Sequence, residues 1–212
     1  MVRLVDSAAF WNKRARKYAA STIKDMPGYE RTVQQTAAYL DGMHTVLEFG
    51  CGTGTTALRL APHVRHFHAT DISQEMVAIA REKAGAAACH NATFDVAETV
   101  GTAAPDGGYD AVLAFNILHL IADRPAAYRR IVQVLKPGGL FISKTTCLSE
   151  MNPFVRLAIP AMQVAGVAPH VAIFSGNDLA AEIAAAGFSI DEQARHGSKG
   201  KDPRIFIVAR RP

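Results

Sequence analysis

The sequence predicts an α/β fold, doubly wound, with a mostly parallel sheet and helices on both faces. Three observations carry that expectation. Short β-rich runs alternate with helical patterns along most of the 212 residues, the signature of strand–helix–strand crossovers in a parallel sheet. One run, Asp110–Phe115 (DAVLAF), is apolar almost throughout, as a strand covered on both faces should be. The last two runs are joined only by HGSKGKDP, too short for a crossover helix, so they should pair as an antiparallel hairpin.

Each element has its own signals. Thr45–Phe49 (TVLEF) opens the sheet and ends at a glycine turn, after which a helix begins near Thr55. His66–Thr70 ends at Asp71, and Ser73 can cap the helix QEMVAIAREKA, whose Met76, Val77, Ile79 and Ala80 form an apolar stripe. Ala92–Phe94 ends at Asp95, and Asp110–Phe115 ends at Asn116. Asp123 precedes the helix RPAAYRRIVQVL, with Pro125 in its first turn and Pro137 past its end. A turn at Lys136–Gly139 leads into the strand Leu140–Ser143. Asn177 or Ser175 can cap DLAAEIAAA, and Gly187 sits at its natural stop. The hairpin strands are Phe188–Gln193 and Arg204–Ala209.

Composition fits one domain over 1–212: 49% hydrophobic and 20% charged residues. The three cysteines, Cys51, Cys89 and Cys147, form no C-x-x-C pair, which points to reduced thiols in a cytoplasmic enzyme. The first residues lack the apolar core of a signal peptide, and the most apolar segment, Leu157–Pro169, is broken by Pro160 and Gly166 and too short to span a bilayer. The net charge of +4 concentrates at the ends: residues 1–31 hold seven basic against three acidic residues, and 195–212 six against one. With no aromatic residues interleaved among these charges, the expectation is solvated termini and no nucleic-acid partner. Membrane contact would be peripheral at most.

In such sheets ligands lie across the carboxyl ends of the strands. Four polar signals stand there: Glu48–Gly54, Asp71, Asp95 and Asn116. GTGTTA (52–57) fits a dinucleotide fingerprint, with Asp71 17 residues after Gly54 to receive ribose hydroxyls. Three details favour another adenosine ligand. Glu48 lies inside the strand end, where a buried carboxylate needs a cationic partner. Asp95 offers an acceptor for an adenine amino group. The closing hairpin is not how a dinucleotide domain usually ends. A ligand with a carboxylate, an ammonium, a ribose and an adenine meets all of these, and S-adenosylmethionine is that ligand.

Here the sequence resembles the class I S-adenosylmethionine-dependent methyltransferases, in the group similar to small-molecule, quinone and lipid methyltransferases. VLEFGCGTG (46–54) resembles the glycine motif, ATDIS (69–73) followed by Met76 the ribose segment, and FDVAE (94–98) the adenine segment. YDAVLAFNILHLI (109–121) resembles the fourth-strand motif and LKPGGLFI (135–142) the turn into strand five. The resemblance implies seven strands with the last antiparallel. It implies that Gly50, Cys51, Gly52 and Gly54 wrap the methionine part, with Glu48 near its amino group and Asn116 touching it from strand four. Asp71 would hold the ribose, Ile72 and Met76 would border the adenosine, and Asp95 with Val96 would read the adenine edge. FWNKRARKY resembles a lid in which Tyr18 closes over the cofactor. Transfer would be in-line displacement, with orientation and water exclusion as the protein's main contribution. A general base is needed only for nucleophiles that carry a proton, and His119 is the candidate, with Tyr18 beside it.

The acceptor should meet the N-terminal lid (1–40) and the insertion 149–174, which reads as two short helices or one kinked at Pro160. Its apolar character suits a small hydrophobic acceptor, a quinone or a phospholipid. A silent S-adenosylmethionine-binding protein and an NAD-dependent oxidoreductase are the alternatives. His63, His66 and His68 cluster but lack the further ligands of a metal site. Cys147 reads as a buried small residue, and GSKGK (197–201) as a hairpin turn.

Overall fold

The structure, a computed structural model, describes residues 7–98, 101, 103–164, 169, 171–198 and 202–212. Strands β1 (Thr45–Phe49), β2 (His66–Asp71), β3 (Ala92–Val96), β4 (Tyr109–Phe115), β5 (Leu135–Thr146), β6 (Ser189–Ala194) and β7 (Arg204–Arg210) form one sheet in the order β3-β2-β1-β4-β5-β7-β6. β1 to β5 pair in parallel, and β7 runs antiparallel to both β5 and β6, as the short final connection requires. The tip of that hairpin at 199–201 lies outside the described residues.

Strand alternation divides the core. Leu47, Val112 and Phe141 face one side, under α5 (Arg124–Val134) and α7 (Gly176–Ala185). Val46, Leu113 and Ile142 face the other, under α2 (Met26–Ala38), α3 (Thr55–Leu60) and α4 (Gln74–Ala86). The caps read from the sequence are in place: Ser73 accepts from Met76 N, Asp123 from Ala126 N, and Ser175, rather than Asn177, from Asp178 N. α1 (Ser7–Ala19) packs Ala15 and Trp11 against Met76 and Ile79 of α4. Asn12 fastens it there, accepting from Ser73 Oγ at 2.7 Å and Glu75 N at 3.2 Å.

One expectation about the elements is corrected. The Lys136–Gly139 turn is not a break before strand five: β5 starts at Leu135, and residues 136–139 bulge opposite Asp110, between the pairs Tyr109↔Leu135 and Ala111↔Leu140. The bulge is pinned by Lys136 Nζ to Asp110 at 2.6 Å and by backbone bonds to Arg211 from Gly138 and Gly139. In the insertion, one helix, α6 (Pro153–Val164), includes Pro160, the single-helix alternative of the two expected there.

Candidate functional site

A cavity of about 1280 Å³ opens at the carboxyl ends of β1, β2, β4 and β5, and α1 and the start of α2 cover it. Of the residues singled out from sequence, Tyr18, Glu48, Gly50, Cys51, Gly52, Asp71, Ile72, Met76 and Asn116 line it.

The turn after β1 folds by positive-φ glycines. Gly50 (φ +69°) packs so closely on Ile117 that a Cβ would fall 2.6 Å from that side chain. Gly54 (φ +72°) does not line the cavity; it packs beneath the turn, where a Cβ would meet Ala80 and Phe94 at 2.8 Å. Gly52 N donates to Asp71 Oδ2 at 2.8 Å, and Asp71 Oδ1 accepts from Ser73 N at 2.9 Å. One carboxylate thereby ties the glycine turn to the end of β2, with lone pairs left for a ligand. Burial holds its carboxyl above the usual range, opposed by those backbone bonds. Tyr18 leans over Gly52, its Cε1 3.7 Å from where a Cβ would stand, and its ring meets Trp11 edge-on at 6.3 Å. Burial, then the charges of Asp71 and Glu48, raise its hydroxyl above the ordinary value, so it stays protonated at neutral pH. Burial likewise raises the Cys51 thiol well above its usual value, which leaves it inert as a nucleophile.

Glu48 is the outlier. It is 2% exposed, its Oε2 has no hydrogen-bond partner among the described residues, and burial together with Asp71 pushes its carboxyl up to about 8. A buried carboxyl beside a second carboxylate keeps its proton, and it ionises near neutral pH when a cation arrives beside it.

Three sequence expectations do not meet the cavity. Asp95 turns to the edge of the sheet, where Arg81 NH2 and His68 Nε2 each lie 3.1 Å from its carboxylate. Val96 is 52% exposed and also off the cavity. The chain reaches the cavity one step later, at Ala97 and Glu98, after Ala97 N donates to Asp71 O. His119 stands behind the wall. Asn116 takes φ 55°, which turns the chain so that Ile117, Leu120 and Ile121 line the cavity while His119 does not. Its Nδ1 is buried without a partner among the described residues, and burial lowers its pKa to about 4. The histidine cluster has structural partners: His66 meets Thr93 at 3.1 Å and His68 meets Tyr109 at 2.7 Å.

Sequence reasoning missed the far end of the cavity, lined by Thr32, Asp25, Lys144, Pro203 and Arg204. The signal was Lys144 itself, a lone cation inside the apolar run LFISKTT (140–146).

The chain is similar in sequence and fold to known proteins. Residues 46–139 match the family described as Methyltransferase domain. That segment, together with the sheet order above, makes the chain similar to the class I S-adenosylmethionine-dependent methyltransferases. The chain is 30% identical over 145 residues to the uncharacterized methyltransferase YcgJ of Bacillus subtilis, covering 65% of this chain and 57% of that protein. It is 29% identical over 157 residues to the demethylmenaquinone methyltransferase of Symbiobacterium thermophilum, covering 72% and 54%. The chain thus spans about half the length of these curated relatives. Among solved structures, the magnesium protoporphyrin IX methyltransferase of Synechocystis PCC 6803, crystallised with S-adenosylhomocysteine, superposes with a TM-score of 0.72 at 19% identity, over 97% of this chain and 98% of that one.

Proposed function

We propose that the protein is an S-adenosylmethionine-dependent methyltransferase that passes the methyl group to an oxygen, nitrogen or carbon nucleophile of a small, mostly apolar acceptor. The carrying observation is Glu48, a buried carboxylate whose Oε2 has no partner among the described residues and which faces the glycine turn in a methyltransferase domain. The amino group of the methionine part supplies the missing cation. A dinucleotide brings no ammonium to that position and leaves Glu48 protonated and unpaired.

Bound S-adenosylmethionine supplies a methyl already activated on a sulfonium. The chain's residues then orient and shield. Glu48 pairs with the ammonium, Asp71 receives the ribose hydroxyls with its free lone pairs, and Ile72 and Met76 border the adenosine. Glu98 takes the acceptor role at the adenine amino group that the sequence assigned to Asp95, since the Ala97 N–H already donates to Asp71 O. Tyr18 and Trp11 on α1 close the cavity against water.

For the acceptor, Phe115, Ile117, Leu120 and Ile121 give apolar walls, and the demethylmenaquinone methyltransferase relative supports a quinol-like ring. Among the described residues no helix is long and apolar enough to cross a membrane. We place the enzyme in the cytoplasm, with its free cysteines reduced. The test is turnover of S-adenosylmethionine against a panel of quinols, phenols and phospholipid headgroups, with Asp71→Ala alongside. Acceptor-dependent S-adenosylhomocysteine formation, lost in the variant, supports the reading. Tight cofactor binding without turnover on any acceptor turns it toward a silent binding protein.

A further inference from the structure

The far end of the cavity holds a cation that the cofactor-binding residues do not use. Lys144 of β5 is 5% exposed and lines the cavity. The sheet register fixes where it stands: Glu48 pairs with Leu113, Leu113 with Ile142, and Phe115 with Lys144. Register partners share a face, as do residues two apart on a strand. Glu48 and Lys144 are therefore on one face, two strands apart and two residues offset. At about 4.8 Å per strand and about 3.3 Å per residue, their Cα atoms are roughly 12 Å apart. An anion and a cation so placed bracket a donor methyl and a small acceptor.

The surroundings of Lys144 define what it receives. Nζ donates to Thr32 Oγ1 at 2.7 Å. Asp202 Oδ2 is 3.9 Å away and has no hydrogen-bond partner among the described residues. Arg204 pairs with Asp202 at 2.7 Å and with Asp25 at 3.5 Å, while Arg31 donates twice to the backbone oxygen of His196. Burial first, then Lys144, holds the His196 imidazole below its ordinary pKa, so it adds no charge. Lys144, Arg204 and Arg31 thus face Asp25 and Asp202, an excess of one positive charge. That excess suits a monoanion and falls short of a phosphate dianion. Beside it the walls are Phe115, Ile117 and Leu120, which favour a flat apolar body. Burial, then Arg204, brings the Lys144 ammonium down to about 8, so a share of it is a free amine near neutral pH.

We propose that Lys144 takes the proton of an acidic hydroxyl on the acceptor, a phenol or an enol, and holds the resulting oxyanion for methylation. This rests on the methyltransferase reading of the cavity and names the acceptor class for it. The O–H bond breaks, its electron pair stays on oxygen and the proton goes to Nζ. That oxygen forms the new bond to the methyl carbon as the bond from methyl to the donor sulfur breaks, with its electron pair retained by sulfur. Lys144 then returns the proton to solvent.

The probe is 4-nitrophenol, whose phenolate is coloured, titrated with pH on protein saturated with S-adenosylhomocysteine. Wild type should lower the probe's apparent pKa by one unit or more, a tenfold or greater shift toward phenolate, and Lys144→Met should abolish that shift. Should the methionine variant fold poorly because Thr32 loses the donor that Lys144 gives it, Lys144→Gln restores a polar amide at that position and should abolish the shift equally. Calorimetry with S-adenosylhomocysteine runs beside each sample. Failure of wild type to bind it removes the methyl-donor reading. Binding within about twofold in all three proteins, with the probe unbound or ionising alike in wild type and variants, overturns the role of Lys144 and leaves the methyl-donor reading intact.

Discussion

Glu48→Gln exchanges a buried carboxyl for an amide of nearly the same size, and the two side chains should part company as pH rises. The carboxyl is pushed from an ordinary 4.5 to about 8 by burial and by Asp71. Between those values the native state holds a proton that the unfolded chain has released, so native stability falls as pH rises. The contribution is intact below pH 4.5 and is lost by the time pH passes about 8. At about 1.4 kcal/mol per pH unit, the full loss is roughly 5 kcal/mol, a large share of a typical domain's stability. Glutamine does not titrate and avoids that fall. Urea unfolding of ligand-free wild type and variant at pH 5 and pH 9 should show the gap moving in the variant's favour by about 2–5 kcal/mol. S-adenosylhomocysteine at about 100 times its Kd should stabilise wild type by about 2.7 kcal/mol and the variant far less. Parallel pH dependence in the two proteins would mean that Glu48 ionises in the fold as it does in water, and would rule out a buried acid waiting for a cation.

Four further substitutions probe named contacts. Gly50→Ala puts a Cβ 2.6 Å from Ile117 at a positive φ; it should lower stability by about 1–3 kcal/mol and weaken S-adenosylhomocysteine at least tenfold, read by thermal shift and calorimetry. His119→Leu should leave turnover within about threefold of wild type because His119 does not line the cavity; a hundredfold loss would return it to the reaction. Asp95→Asn removes the ion pair to Arg81 and alters the contact to His68 at a carboxylate 55% exposed, so it should cost under about 1 kcal/mol in urea and leave cofactor affinity unchanged. Glu98→Gln, by contrast, should weaken adenosine binding severalfold in the same titration.

Sequence was most legible where local chemistry decides. The apolar run Thr45–Phe49 ending at glycine, the caps Ser73 and Asp123, and the short link before β7 each specify their element without distant help. Glu48 could be singled out because a carboxylate among apolar strand residues has few explanations. Less legible was which side of an edge strand faces the ligand. β3 is covered on one side only, so its pattern around Asp95 marks no inner face, and the reading fell short of Ala97 and Glu98. His119 was misplaced because the turn at Asn116 depends on a positive φ that no spacing rule reveals. Lys144 escaped because its partners, Thr32 and Asp202, lie 112 residues before it and far beyond it toward the C-terminus, and only the fold assembles them. The bulge at 136–139 was read as a turn since Pro137 and Gly138 give the same signal for both.

If the cavity holds a methyl donor through Glu48, binding must change the ionisation of that carboxyl. Calorimetry of S-adenosylhomocysteine at pH 7 in two buffers of different ionisation enthalpy, with NADH as the control ligand, reads that change directly. With the carboxyl at about 8 in the free protein, pairing with the ligand's ammonium should release close to one proton, and NADH should not bind. Binding of NADH alone, or of S-adenosylhomocysteine with no proton released, would remove Glu48 as the anchor of a methyl donor.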